Sequence, residues 1–493
     1  MIKYFIRIGL SIAMTSGLAV CVWAQDPAPK PADYRMFSVD SIDSEQKAAV
    51  HDDGMEVFKI NRRTFDEQFA PYYAQLSEEE KKIYRQVVTA IINHEGSIKI
   101  ENTAVGNRSS YRIDLAISID QPELFWFDSL TRVRYYAKDD EDEDEDDYED
   151  DEDDEDEDDD EVDDDDEEDE DDNDDRDDTD DGRYIRSLTY EINYNDLALD
   201  LAKHQKEMVD ELNKMLEVAS KYPKIYQKEL AIHDYLVDHV SYVTDSDYDQ
   251  TSYSALVNHE TVCSGFARGF QMAMRKLGVP TYYASGHKIK GKKKHAPTDD
   301  DRHAWNVVIL DGNAYNVDVT NDASTIKGRD GEMHPFSIYK YFNRTDEFFS
   351  SQGYTTQYKT FDETEGLKLS TQANSLEFVA NKVVDTKYLV QRISSIFPVT
   401  EDDFVSTSRE FARRSREQLW GLKGEKGLVC TILMNNHVYH EVHDYSWPKM
   451  EKEFLNEIYK TYHVDGKSIN RMDKVIMDGV RIFVSRYTFK RTK

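Results

Sequence analysis

Val262-Cys263-Ser264-Gly265-Phe266-Ala267-Arg268-Gly269-Phe270-Gln271-Met272 places small residues after a cysteine, and apolar residues then recur at Phe266, Phe270, Met274 and Leu277. That spacing predicts a helix starting at or just after Cys263. A thiol at a helix N-terminus feels the positive end of the macrodipole, which favours the thiolate and poises the sulfur as a nucleophile.

A thiolate nucleophile needs a base, and the base needs a group that orients it. The segment Arg302-His303-Ala304-Trp305-Asn306-Val307-Val308-Ile309-Leu310-Asp311-Gly312-Asn313-Ala314-Tyr315-Asn316-Val317-Asp318-Val319-Thr320 offers both on one predicted hairpin. Asp311-Gly312 is a strong turn signal. If those two residues form the whole loop, Asp318 falls opposite Trp305, two residues from His303 and on the same face. A three-residue loop would break this register unless a bulge restored it. The carboxylate would then hold the imidazole in one tautomer and stabilise imidazolium, leaving the other ring nitrogen for the thiol.

With both stretches in hand, the run VCSGFARGFQMAMRKLGVP, the later HAWNVVILDGNAYNVDVT and the order Cys263, His303, Asp318 resemble the transglutaminase-like superfamily, over about Tyr226 to Tyr341. The resemblance implies a papain-like α+β fold in which a helix bearing the cysteine packs on an antiparallel sheet bearing the histidine and aspartate. It implies that Cys263 is the acyl-accepting nucleophile, His303 its general base and Asp318 the orienting carboxylate. It also assigns His233-Asp234-Tyr235-Leu236 to the helix before the cysteine, and Tyr339-Lys340-Tyr341-Phe342 to the element closing the domain. The Cys263 backbone N–H is one expected oxyanion donor, and Tyr253 is a weaker candidate for a second, with a core or surface tyrosine as the alternative.

The rest of the chain supplies context. At 493 residues it exceeds one ordinary core, and about three units are expected. Lys3 and Arg7 precede an uncharged stretch, Ile8 to Ala24, that reads as an export signal cleaved after Ala24. Retention as a membrane anchor is the alternative. Residues 25–66 read as a linker. Removing the signal would take Cys21 and leave Cys263 and Cys430, so no disulfide framework is expected, and Cys430 reads as a buried strand residue.

The formal charge of −39 is concentrated: Asp139 to Asp181 holds 38 acidic residues and one basic residue, Arg176, leaving −2 for everything else. Such a tract cannot bury apolar surface, and it excludes nucleic acid as a natural partner. Its flanks, Ser129 to Tyr136 and Arg183 to Ile192, alternate and read as two strands of a hairpin with an expanded connection, which costs little extra closure entropy. The tract is either a solvated loop or a diffuse binder of Ca²⁺ and other cations; it lacks the spaced ligands of an EF-hand. Lys288, Lys290, Lys292, Lys293 and Lys294 form a compact basic loop between nucleophile and base, over which the acidic tract could fold.

An N-terminal α+β unit is expected over residues 67–194. It contains a helix capped by Ser77-Glu78-Glu79-Glu80 and strands at Ser97 to Glu101 and Ser109 to Ile119. The cysteine-bearing domain should occupy 195–350, entered by helices over Asp196 to Lys221 and Ile225 to His239. An α+β accessory domain of unknown role should fill 365–493, with helices at Phe404 to Leu422 and Lys449 to Tyr462 and strands at Gly427 to Met434 and Arg481 to Phe489. His259, His287, His295 and His334 lack metal-ligand spacing, and no cofactor is expected. Two functions fit: an exported cysteine enzyme acting on peptide or amide bonds, more a peptidase than a cross-linker, or a surface scaffold that uses the domain for recognition. The partner is then a protein, a peptide or a cell-wall component; membrane contact would come only through an uncleaved signal.

Overall fold

The computed structural model describes residues 55–61, 63–101, 107–136, 185–289, 298–328, 330, 332–355, 386–397, 399–421, 428–442, 449, 452–453, 456, 470–477 and 480–487. The expected signal, Cys21, most of the linker, the acidic tract, Lys290 to Lys294 and His295 lie outside them, as do residues 457–462 of the helix expected over Lys449 to Tyr462. Two units emerge: Leu76–Asp114 with Phe127–Asn195, and a larger one containing Leu115–Trp126 and everything from Asp196 onward.

The smaller unit begins with helix α1 (Glu78–Ile92), where Ser77 Oγ accepts from the Glu80 N–H and the Glu80 carboxylate accepts from the Ser77 N–H, the reciprocal arrangement its sequence announced. Strands β1 (Ser97–Glu101), β2 (Phe127–Tyr136) and β3 (Ile185–Tyr194) form an antiparallel sheet in the order β1-β3-β2. The two strands flanking the acidic tract pair down to Tyr136 opposite Ile185, as an expanded hairpin requires. Ser109 to Ile119 is not the strand expected: it lies in helix α2 (Asn107–Asp120). The alternation of Tyr111, Ile113, Leu115, Ile117 and Ile119 suits a strand, yet the residues buried to 1% or less are Ser110, Ile113, Ala116 and Ile117, at helical spacing. Packing overrode local β propensity there.

In the larger unit a short 3₁₀ turn at Asp196–Asp200 leads into α3 (Leu201–Ser220), followed by α4 (Ile225–His239). The two-residue strands β4 (Ser241–Tyr242) and β5 (Glu260–Thr261) pair in parallel and deliver the chain to α5 (Cys263–Lys276). Next come β6 (Thr281–Lys288), β7 (Arg302–Leu310), β8 (Asn313–Val317), the single turn α6 (Val319–Asp322), the hairpin β9 (Ala323–Lys327) and β10 (Met333–Ser337), α7 (Asp346–Ser351) and β11 (Tyr354–Thr355). The central antiparallel sheet has the order β11-β6-β7-β8. Its core includes Tyr282, Ala284, Trp305, Val307, Tyr341, Phe349 and Tyr354.

Beyond residue 385, α8 (Thr386–Ser394), β12 (Phe404–Val405), α9 (Ser408–Gly421), β13 (Leu428–Asn435), α10 (Asn436–Glu441), β14 (Asn470–Met477) and β15 (Val480–Tyr487) follow, with a sheet ordered β12-β13-β15-β14. Cys430 lies on β13, paired with Ser485. No helix among the described residues is long and apolar enough to cross a membrane.

Candidate active site

Helix α5 starts at Cys263 itself, with extended Val262 as the preceding cap residue. Its first turn is pressed against the segment before it. A Cβ at Gly265 would collide with the Thr261 hydroxyl and reach 2.8 Å from the Thr251 carbonyl oxygen, so only glycine fits without displacement. Thr261 Oγ1 in turn donates to the Asp249 carbonyl at 2.6 Å, which ties down the strand that delivers the cysteine. The half-buried Cys263 thus sits where the backbone donors of a helix have no intrahelical acceptor.

The hairpin adopts the two-residue loop: Leu310 pairs with Asn313, and Asp311 and Gly312 both have positive φ, 50° and 76°. The ladder runs to Asn306 opposite Val317, and the next residue, Asp318, therefore falls across from Trp305. Asp318 ends the strand and caps α6, its Oδ1 accepting from the Asn321 N–H at 2.9 Å while its own N–H donates to the Tyr341 carbonyl at 3.1 Å. That fixes the carboxylate, and His303 Nε2 donates to Asp318 Oδ2 at 2.6 Å. The Asn321 side-chain amide lies 2.8 Å from the same imidazole nitrogen and donates to Asp318 Oδ2 at 2.7 Å.

Electrostatics bind the three residues together. Burial pushes the His303 imidazole down, but the Asp318 charge and hydrogen bond, with a hydrogen bond and charge from Cys263, outweigh it and lift the ring to about 9. Burial likewise pushes Asp318 up, and the His303 charge, the His303 and Tyr354 hydrogen bonds and the Asn321 N–H reverse this to about 2. An imidazolium beside a carboxylate is the favoured state, and it presents positive charge to the sulfur. The His303 side chain keeps 10% of its surface exposed, while Asp318 has none.

Two residues at this site were not legible beforehand. Tyr354 donates to Asp318 Oδ2, packs edge-on against Trp305 at 5.4 Å, and has the Lys288 ammonium 4.9 Å from its ring. It belongs to the same sheet, because β11 pairs with β6 where a Cβ on Gly286 would strike the Thr355 carbonyl. Nothing local announces this role, and Tyr354 lies past the expected domain end at residue 350. Asn321 had a signal, an amide three residues after an aspartate that could cap a turn.

Tyr253 is placed elsewhere: its hydroxyl donates to Glu207 at 2.6 Å and its ring stacks on Phe125 at 5.1 Å. The structure therefore brings Cys263, His303 and Asp318 together and engages the Tyr253 hydroxyl in another set of contacts. His334 pairs with Asp330 at 2.8 Å and His259 lies 3.8 Å from Glu211. Among the described residues no group of three or more His, Cys, Asp or Glu could hold a metal ion.

Residues 213–318 match the transglutaminase-like superfamily. Solved structures with similarity include a candidate cysteine protease from Cytophaga hutchinsonii, 19% identical over 31% of this chain and 60% of that one, with a TM-score of 0.20. A TGase is 17% identical over 28% of this chain and 41% of its own, TM-score 0.19. The periplasmic domain of TgpA from Pseudomonas aeruginosa is 13% identical over 28% and 55%, TM-score 0.19. The matched part is less than two thirds of each of these chains. No curated protein sequence matches. Residues 213–318, which hold the cysteine-bearing helix and the antiparallel strands that end in the His303–Asp318 pair, are the part of the chain that is similar to the transglutaminase-like superfamily.

Proposed function

We propose that the protein is an exported cysteine enzyme that transfers acyl groups from peptide or amide bonds, with hydrolysis as its principal outcome. One observation carries the reading: His303 is bonded to a buried carboxylate at 2.6 Å, and a cysteine that begins a helix adds to the charge that keeps the ring protonated. The Cys263 thiolate attacks the amide carbonyl carbon, and the imidazolium gives its proton to the leaving nitrogen as the C–N bond breaks. That leaves a thioester and a neutral imidazole. The imidazole then takes a proton from water, which attacks the thioester; the acid departs and the thiolate–imidazolium pair returns. Asp318 keeps the ring oriented throughout. The Cys263 N–H, at the head of α5, is suited to the oxyanion. No cofactor enters these steps.

Location outside the cytoplasm rests on the basic, apolar, small-residue pattern of residues 1–24, and a protein, peptide or wall amide is the corresponding substrate class. The test is the pH dependence of Cys263 alkylation in the purified chain beside His303→Ala. Rapid labelling at pH 6, well below the range of an ordinary thiol at about 8.5, and its loss in the variant are expected. Slow labelling that is unchanged in the variant would sink the reading.

A further inference from the structure

A second polar cluster lies within the same unit. His233 on α4 is fully buried, with Nδ1 3.0 Å from Asp234 Oδ1 and Nε2 3.3 Å from Asp322 Oδ2. Burial pushes this imidazole down, yet the two carboxylates lift it to about 9, so an imidazolium stands between them. Tyr339 stacks on its ring at 5.7 Å and donates to Asp234 Oδ2 at 2.8 Å, and Phe342 covers the ring edge-on at 5.1 Å. Among the described residues Glu229 also acts on His233; burial raises it to about 8, and its carboxylate accepts from the Asn343 amide at 2.9 Å.

The outer side of the cluster is closed by the C-terminal region. Arg392 on α8 places Nε 3.2 Å from Asp234 Oδ2 and grips Asp238 through both terminal nitrogens, at 2.6 and 2.7 Å. Tyr388, one turn earlier, also donates to Asp234 Oδ2. Burial alone would raise the Asp234 carboxyl; the Arg392 charge is the largest influence that brings it below the usual range instead. A buried imidazolium between two carboxylates carries excess negative charge, and Arg392 supplies the compensating cation.

The inner side leads to the site. Asp322 is the last residue of α6, whose cap is Asp318. Asp322 Oδ1 accepts from the Tyr341 N–H at 2.8 Å, and the Tyr341 carbonyl accepts from the Asp318 N–H at 3.1 Å. One turn of helix is thereby pinned at both ends to a single residue, with His233 holding the second oxygen of Asp322. The segment that supplies Tyr341 contains two non-glycine residues of positive φ, Tyr339 at 48° and Asn343 at 53°. Such conformations persist where surrounding contacts over-determine them, and both residues are held by this cluster.

We propose that Arg392 and Tyr388 are positioning residues for Asp318, acting through Asp234, His233 and Asp322. This rests on the function proposed above and gives part of the C-terminal region a role in it. Loss of the Arg392 charge leaves the buried carboxylates uncompensated. A proton taken up by Asp234 or Asp322 then weakens the grip on His233 and loosens the turn that aims Asp318 at His303.

The experiment uses the full chain with Arg392→Gln, Arg392→Lys and Tyr388→Phe. Two quantities are read: the His303 titration, from NMR of ring-labelled histidine assigned with His303→Ala, and the rate of Cys263 alkylation at pH 6. Arg392→Gln should lower the proton affinity of His303 about three- to tenfold and slow low-pH labelling in step, while a native circular dichroism spectrum is retained. Arg392→Lys should restore most of both, and Tyr388→Phe should give a smaller shift in the same direction. A His303 titration in Arg392→Gln superimposable on the parent overturns the proposal, as does lost labelling that merely tracks the unfolded fraction. If Arg392→Gln does not fold, Tyr388→Phe decides by the same readout. An unmodified chain whose Cys263 behaves as an ordinary thiol refutes the enzyme reading alone, because the His303 titration still reports on positioning.

Discussion

His303 and His233 are chemically alike and differently placed. Each is flanked by carboxylate, and each is raised to about 9 despite burial. His303 has one carboxylate partner, 10% of its side chain exposed and a helix-start cysteine against it. His233 has two carboxylate partners, no exposure, and aromatic rings over it. The difference teaches that a raised histidine is no sign of catalysis by itself. On the function proposed above, a nucleophile at the ring and a path to solvent are what set His303 apart from His233.

Substitution should separate the two clusters by the size of their effects on reactivity and on stability. Asp318→Asn should slow Cys263 alkylation at pH 6, and turnover of any substrate found, by roughly 10²- to 10⁴-fold, with a melting temperature that falls comparatively little. His233→Gln should do the reverse. It strands two buried carboxylates, which costs roughly 3–5 kcal/mol of stability in chemical denaturation, while the folded fraction keeps labelling within about tenfold of the parent. Equal losses of reactivity from both variants would erase the distinction.

The pH dependence of stability sharpens the same contrast. A histidine whose folded titration lies near 9 stabilises the fold in its protonated form. That contribution is complete below about pH 6.5 and is lost as pH rises through about 9. Glu229, raised to about 8, loses its share earlier, from about pH 4.5 upward, so the interval above pH 8 reports mainly on the histidines. Asp318, held at about 2, acts in the opposite sense: its contribution is present above about pH 3.8 and is lost as pH falls through 2. Melting temperatures between pH 8 and 9.5 should therefore decline, with His233→Gln and His303→Ala each removing part of the slope.

The smallest expected effect belongs to Tyr354→Phe, which removes one hydroxyl from Asp318 and leaves the packing against Trp305. A hydrogen bond to a charged group contributes about 1.5–3 kcal/mol, and the share of it that reaches His303 through Asp318 should slow low-pH labelling by less than about tenfold. Its acid limb should move to higher pH, because Asp318 loses a donor that favours its ionised form. An unchanged acid limb would reduce Tyr354 to a packing residue.

Much of the site was written in short-range patterns. The start of α5 at Cys263 follows from small residues and a four-residue apolar spacing, and the opposition of Asp318 to Trp305 follows from the two residues of the Asp311–Gly312 turn. Both are local rules of helix and hairpin geometry, satisfied within about twenty residues of chain. Where two local rules competed, as at Ser109 to Ile119, the alternation pointed to a strand and burial chose a helix.

What the sequence alone determined, then, is the placement of Cys263 at a helix start and of His303 and Asp318 on one hairpin, because each is set by backbone periodicity near itself. What only the tertiary structure decided is everything that reaches them across long stretches of chain. Tyr354 meets Asp318 from 36 positions away, and Arg392 meets Asp238 from 154 positions away. No periodicity records such a contact. It exists because closing the sheet and docking α8 buries charges that must then find partners, and those partners can come from any part of the chain that folding brings within reach.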